Sequence, residues 1–273
     1  MQVVDSHCHI HDAQAGLDSN DPVRAKWLAA GKGDPDAIIA DAVAAGVTRM
    51  ICVGCDVADS MVAVDFVQGR PEVWASIGIH PHEAKRYIGD SDSLVTFSGL
   101  ASRQKVVAIG ECGLDYYYSH SPKADQEKIL RFQMELALEH DLPMVFHVRE
   151  AFDDFWPIFD SYKGIRGVIH SFTADRKVLD RVIERGLYAG INGIMTFSKQ
   201  QEQLDALKSL PLERLLLETD APFLTPAPFR GTMCEPKHAM TTLSFIAQLQ
   251  GRTDQHIAEA TTQNACRLFN LEG

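Results

Sequence analysis

Asp34-Pro35-Asp36-Ala37-Ile38-Ile39-Ala40-Asp41-Ala42-Val43-Ala44-Ala45-Gly46-Val47-Thr48-Arg49-Met50-Ile51-Cys52-Val53 contains a helix, a strand and the punctuation between them. Asp34 ahead of Pro35 puts a capping side chain before the residue best suited to open a helix. Pro35 to Ala45 has helical periodicity, Gly46 supplies the left-handed residue that ends such a run, and Val47 to Val53 is a short apolar run suited to a buried strand. The alternation recurs on both sides. Strands are expected near Gln2 to Ser6, Val47 to Val53, Val73 to Ile79, Val106 to Gly110, Pro143 to Phe146, Gly167 to Ile169, Leu187 to Ile191 and Leu215 to Glu218. Helices are expected at Pro35 to Ala45, Ala58 to Gln68, Ser91 to Ser102, Lys123 to His140, Ala151 to Ser161, Asp175 to Arg185, Lys199 to Ser209 and Lys237 to Gln250, with Asp254 to Phe269 as an extra. Eight strands alternating with helices predict an α/β chain of the (β/α)8 TIM-barrel class.

No linker-like tract or internal repeat divides the 273 residues, so a single domain over 1–273 is expected. Residues Asp12 to Asp34, with Gly16, Gly31 and Gly33 and only Val23 to Ala30 as a helical candidate, read as a long first βα loop. A composition of 45% hydrophobic and 23% charged residues excludes a disordered chain. With 26 basic against 37 acidic residues the formal charge is -11, so a phosphate-bearing partner needs a local device that reverses the sign. There is no basic-then-apolar leader and no stretch approaching the roughly 18 apolar residues of a membrane span, which predicts a cytoplasmic protein without membrane contact. The six cysteines are expected to be reduced, and the pair Cys52 and Cys55 to have a packing role.

Histidines and carboxylates concentrate at strand ends: His7 and His9 after the first strand, His80 and His82 after the third, Glu111 after the fourth, His147 after the fifth, His170 after the sixth and Asp220 after the eighth. In a (β/α)8 barrel the C-terminal strand ends form the face on which active sites are built. His7 and His9 are alternate residues of an extended segment, so their imidazoles leave it in parallel and can share an ion. Mixed imidazole and carboxylate donors suit Zn, Mn or Fe and tolerate Mg. His7, His9, Glu111, His147, His170 and Asp220 are too many ligands for one catalytic ion with an open position, which favours two divalent metal ions with Glu111 shared between them. Two divalent cations outweigh the two carboxylates and give a locally positive site.

Asp5-Ser6-His7-Cys8-His9, Gly78-Ile79-His80-Pro81-His82, Gly110-Glu111-Cys112-Gly113-Leu114-Asp115-Tyr116, His170-Ser171-Phe172-Thr173 and Glu218-Thr219-Asp220-Ala221-Pro222-Phe223 together resemble the TatD-type metal-dependent hydrolases within the wider amidohydrolase group. The resemblance runs from residue 3 to about 270. It implies that His7, His9, Glu111 and Asp220 hold one metal and that Glu111, His147 and His170 hold the other. It also implies metal-dependent deoxyribonuclease or 3′ to 5′ exonuclease chemistry, with some relatives proposed to cleave other esters, aminoacyl-tRNA links among them. The chain departs from the family pattern in Arg230-Gly231-Thr232-Met233-Cys234-Glu235-Pro236, where Cys234 replaces the usual Asn, and in the long loop beside His7 and His9, which is expected to narrow the entrance.

The expected reaction is phosphodiester hydrolysis: two cations clamp the phosphate and activate a water, and Asp220 accepts its proton, with Glu111 as the second catalytic carboxylate. Arg149 and Arg230 are expected to contact phosphate, because a guanidinium fork matches two phosphate oxygens. His80 and His82 are expected to touch substrate or support ligands. Asp115 either orients ligands or caps a turn. At least two of Tyr116, Tyr117 and Tyr118 are expected to pack rather than stack bases, and His11, His120, His140, His238 and His256 to lie on the surface or in helices. Cys8 and Cys112 adjoin ligands but point away from them by alternation. No dense basic stripe appears, which favours single-stranded DNA or RNA ends, or a small phosphoester, over a long duplex. The competing readings are cleavage of an amide or carboxylic ester, aminoacyl-tRNA deacylation, and an inactive barrel that only binds; loss of a ligand would mark the last, and none is lost.

Overall fold

The computed structural model describes residues 1–14 and 21–271. Its strands are β1 (Val3–Cys8), β2 (Val47–Val53), β3 (Val73–Ile77), β4 (Val106–Asp115), β5 (Met144–Arg149), β6 (Gly167–Ile169), β7 (Tyr188–Ile191) and β8 (Leu215–Leu217), in one sheet in chain order. The helices are α1 (Pro22–Ala29), α2 (Pro35–Ala45), α3 (Val57–Phe66), α4 (Ser91–Leu100), α5 (Lys123–Glu139), α6 (Phe152–Asp160), α7 (Arg176–Glu184), α8 (Gln201–Ser209), α9 (Ala239–Gln250) and α10 (Asp254–Phe269). This order of parallel strands and helices is the (β/α)8 class. Among the described residues no helix is long and apolar enough to cross a membrane.

Two compact units make up the chain. One comprises Met1–Cys52 and Ser171–Arg267, the other Val53–His170 and Leu268–Leu271. In the first, β1 pairs in parallel with β2, and β7 with β8, and a bridge joins Cys8 to Ala221 just beyond β8. The Asp34 side chain accepts from the Asp36 and Ala37 amides, and Gly46, at φ +104°, ends α2 in the left-handed conformation. Its core includes Val3, Met50, Ile51, Leu215, Leu216 and Ile246, all buried. In the second unit β3, β4, β5 and β6 pair in parallel. Phe146 of β5 meets Phe155 of α6 edge-on at 5.1 Å, and Trp156 and Phe97 are buried in the same unit.

Three strands run past the ends expected for them. β1 continues to Cys8, β4 to Asp115 and β5 to Arg149, so His7, Glu111 and His147 lie inside strands rather than after them. The cause is pairing: Cys112 to Asp115 stay in register with Phe146 to Arg149 beyond the point where the apolar run stops. Ladder hydrogen bonds do not require apolar side chains. Within the long first loop, residues 15–20 lie outside the described residues, and α1 occupies 22–29. This helix is fastened to the segment that follows β1: the buried Trp27 donates its indole N–H to the His9 carbonyl at 3.1 Å, and Arg24 donates to the Asp12 carbonyl at 3.0 Å.

Candidate metal centre

In the first unit the donor set is His7, His9 and Asp220. Asp5, buried two residues before His7, accepts from the backbone N–H and the hydroxyl of Thr219 at 2.9 and 2.6 Å, tying β1 to the segment after β8. The Asp220 amide donates to the His7 carbonyl at 2.8 Å, and Asp220 itself sits at φ +62°, a left-handed conformation that aspartate tolerates better than most residues. The result is convergence. His7 Nε2 and His9 Nε2 stand 3.6 and 3.4 Å from the same oxygen, Asp220 Oδ1. With metal–ligand bonds of about 2.1 Å, two donors on one tetrahedral ion stand roughly 3.4 Å apart, so this spacing fits a shared cation.

In the second unit the set centres on Glu111 Oε1. His147 Nδ1 lies 2.6 Å from it, His80 Nε2 3.5 Å and His170 Nε2 3.8 Å. One donor atom each from His80, Glu111 and His147 lie within 4.8 Å of one another. Gly78 permits this approach: a Cβ there would overlap the backbone of Gly110 and Glu111. His80, expected to touch substrate or support ligands, is therefore placed with the donors. Burial, with His147 nearby, pushes the His80 imidazole down to about 4, which keeps it in the neutral form that metals require.

Asp115 has contacts of both kinds considered for it. Its Oδ1 accepts the backbone N–H groups of Tyr117 and Tyr118 at 3.0 and 2.9 Å, and its Oδ2 lies 3.1 Å from His147 Nε2 and 2.9 Å from His82 Nε2. Burial opposes ionisation of Asp115, but the hydrogen bonds from His147, Tyr118 and His82 outweigh it and hold the carboxyl well below the usual range. The hydrogen bonds to Asp115 and Glu111 raise His147 against its burial. A carboxylate on one ring nitrogen leaves the other, Nδ1, aimed at Glu111; this is the support that metal-ligating histidines characteristically have.

Other expectations meet the structure unevenly. Arg149 lies against Tyr117 and Tyr118, and Arg230 covers Phe197 with its guanidinium 3.7 Å from the ring centre. Cys8 and Cys112 point, as alternation required, at carbonyls of neighbouring strands, those of Ile51 and Val145. Cys234 is buried with its Sγ 3.9 Å from the Thr219 carbonyl, and burial pushes its thiol well up. His140 and His256 are in or at the end of helices, but His11 is buried, its ring 6.1 Å from that of His9. The tyrosine expectation fails: Tyr117 and Tyr118 are both exposed, because Asp115 turns the chain outward immediately after β4. Sequence reading missed Asp5 and Glu218. Buried Glu218 accepts from the Ser171 amide at 2.8 Å and from Asn192 Nδ2 at 3.1 Å. Alternation was the available signal, since each stands two residues from a proposed ligand.

Comparison with known proteins adds a family. The family described as TatD related DNase matches residues 4–270. The metal-dependent hydrolase YabD of Bacillus subtilis is 36% identical over 87% of this chain and 93% of its own length. The 3′-5′ ssDNA/RNA exonuclease TatD of Salmonella typhimurium is 34% identical over 87% of this chain and 94% of its own. Among solved structures, YjjV, a TatD homologue from Escherichia coli K12, superposes with a TM-score of 0.85 at 26% identity, covering 98% of both chains.

Proposed function

The chain belongs to the TatD-related DNase family and is a metal-dependent hydrolase, and from that premise we propose that it cuts phosphodiester bonds at the ends of single-stranded DNA or RNA, releasing nucleotides from the 3′ side. The observation that carries the proposal is the pair of donor sets, each with a carboxylate oxygen approached by two or more imidazole nitrogens. Relatives named as 3′-5′ ssDNA/RNA exonucleases support the choice of substrate.

His7, His9 and Asp220 are assigned to one divalent ion, and Glu111, His147 and His170, with His80 beside them, to another. Bound there, such ions neutralise phosphate charge and lower the pKa of water; Mg, Mn and Zn are all compatible with the donors. The protein's own residues do the rest. Asp220 receives the proton of the attacking water as the new bond to phosphorus forms and the P–O3′ bond breaks, the departing O3′ taking a proton from solvent to become the strand's new 3′-hydroxyl. Asp115 fixes the ring of His147, and Arg149 and Arg230 offer guanidinium forks to phosphate oxygens.

Product analysis of end-labelled single-stranded DNA with Mg, Mn or Zn tests this proposal. Mononucleotides are expected from the wild type and none from Glu111→Ala. Untouched DNA alongside cleavage of an amide or lactone would overturn it. In a metal titration Glu111→Ala is expected to lose the ion assigned to Glu111, His147 and His170.

A further inference from the structure

The turn after β4 leaves two large aromatic rings in water: Tyr117 is 54% exposed and Tyr118 50%. They stand edge to face, 4.7 Å between centres and 87° between planes. The turn that carries them is held at its backbone. Asp115 Oδ1 accepts both of their backbone N–H groups, while Asp115 Oδ2 contacts His147, so the tyrosine turn and a proposed metal ligand are fixed by the two oxygens of one carboxylate. Arg149, two residues beyond His147 on β5 and in register with Asp115, lays its guanidinium 4.3 Å from the centre of Tyr117 and 4.8 Å from that of Tyr118. His120 lies parallel to Tyr118, with 6° between planes and 5.8 Å between centres.

We propose that Tyr117, Tyr118 and Arg149 form a nucleotide subsite beside the bond that is cut, in which a base of single-stranded nucleic acid stacks on an exposed tyrosine face while Arg149 holds the adjoining phosphate. The proposal rests on the nuclease reading and narrows it to substrates that carry bases. Every base has a π face, so such a platform accepts any sequence, as an enzyme working along a strand requires. A guanidinium lying on aromatic rings is weakly hydrated and keeps its N–H groups free in its own plane for two phosphate oxygens. It also places a fixed positive charge near the ligands of a chain whose net charge is -11. A phosphoester without a base uses neither ring.

The test reads binding, not turnover. The full chain as purified is titrated, by fluorescence anisotropy, into a labelled single-stranded oligonucleotide with phosphorothioate linkages and into its twin with abasic sites at the 3′ end. The wild type is expected to bind the base-bearing strand roughly 10-fold tighter or more. Tyr117→Ala and Tyr118→Ala shrink that preference, Tyr117→Phe and Tyr118→Phe keep it, and Arg149→Ala weakens both strands alike. Equal affinity of the wild type for the two strands overturns the platform, and so does no binding of either; this readout needs no altered protein to fold. The nuclease reading fails separately, by absence of products from single-stranded DNA with metal present, whatever the binding preference.

Discussion

Asp115 shows how much one side chain can be asked to hold. Its carboxylate meets two backbone amides on one oxygen and two imidazoles on the other. Asparagine at this position can keep the turn but cannot accept from both rings and the amides at once. Asp115→Asn is therefore expected to lower metal affinity or activity about 10- to 100-fold with little change in fold, read by metal titration and circular dichroism. Unchanged metal affinity would make Asp115 a turn cap alone. Asp115 was only half legible in the sequence: the residue type allowed both roles, and only the distances put it against both the tyrosine turn and His147. His238 offers a pH test away from the ligands. Its Nδ1 accepts the Glu235 amide at 3.0 Å, its ring stacks on Phe229, and burial lowers its pKa from 6.5 despite the nearby Glu235. Protons therefore bind the unfolded chain first as pH falls, so this contribution to stability is present above 6.5 and declines below it. Urea midpoints at about pH 7.5 and 5.5 should differ less in His238→Gln than in the wild type; equal slopes would place the loss elsewhere.

Elements were more legible in kind than in extent. α2 and β2 fall on the expected residues because cap, glycine and apolar run all lie within one short stretch. β4 and β5 overran their expected ends because strand length is set by the neighbouring strand, which local periodicity does not report. The close approach of the segment after β3 to Glu111 is another such property. Gly78→Ala would set a methyl group against the Gly110 and Glu111 backbone. A loss of about 1–3 kcal/mol in urea unfolding is expected, with weakened metal uptake as Glu111 shifts. Wild-type stability in the variant would show that the backbone yields at no cost. The first loop is tied down by a signal that reads as simple hydrophobicity in the sequence: Trp27 is buried like a core residue, yet its N–H holds the His9 carbonyl.

Across the whole molecule, the proposed reaction asks a chain of net charge -11 to confine its attraction for an anion to a small region, which favours strand ends that can enter over long stretches of backbone that cannot. Linear single-stranded DNA is accordingly expected to be degraded and a circular strand of the same sequence spared; efficient nicking of circles, seen on a gel, would overturn end specificity. The sequence by itself determined the order of the strands and of the helices from α2 to α10, and the chemistry available at the strand ends, because periodicity, caps and residue types are local properties. The tertiary structure alone decided that three imidazoles approach one oxygen of Glu111, that Asp115 joins His147 to a turn, and that Tyr117 and Tyr118 face water. Those are distances between atoms far apart in the chain and directions of individual side chains, and both are set by packing rather than by pattern.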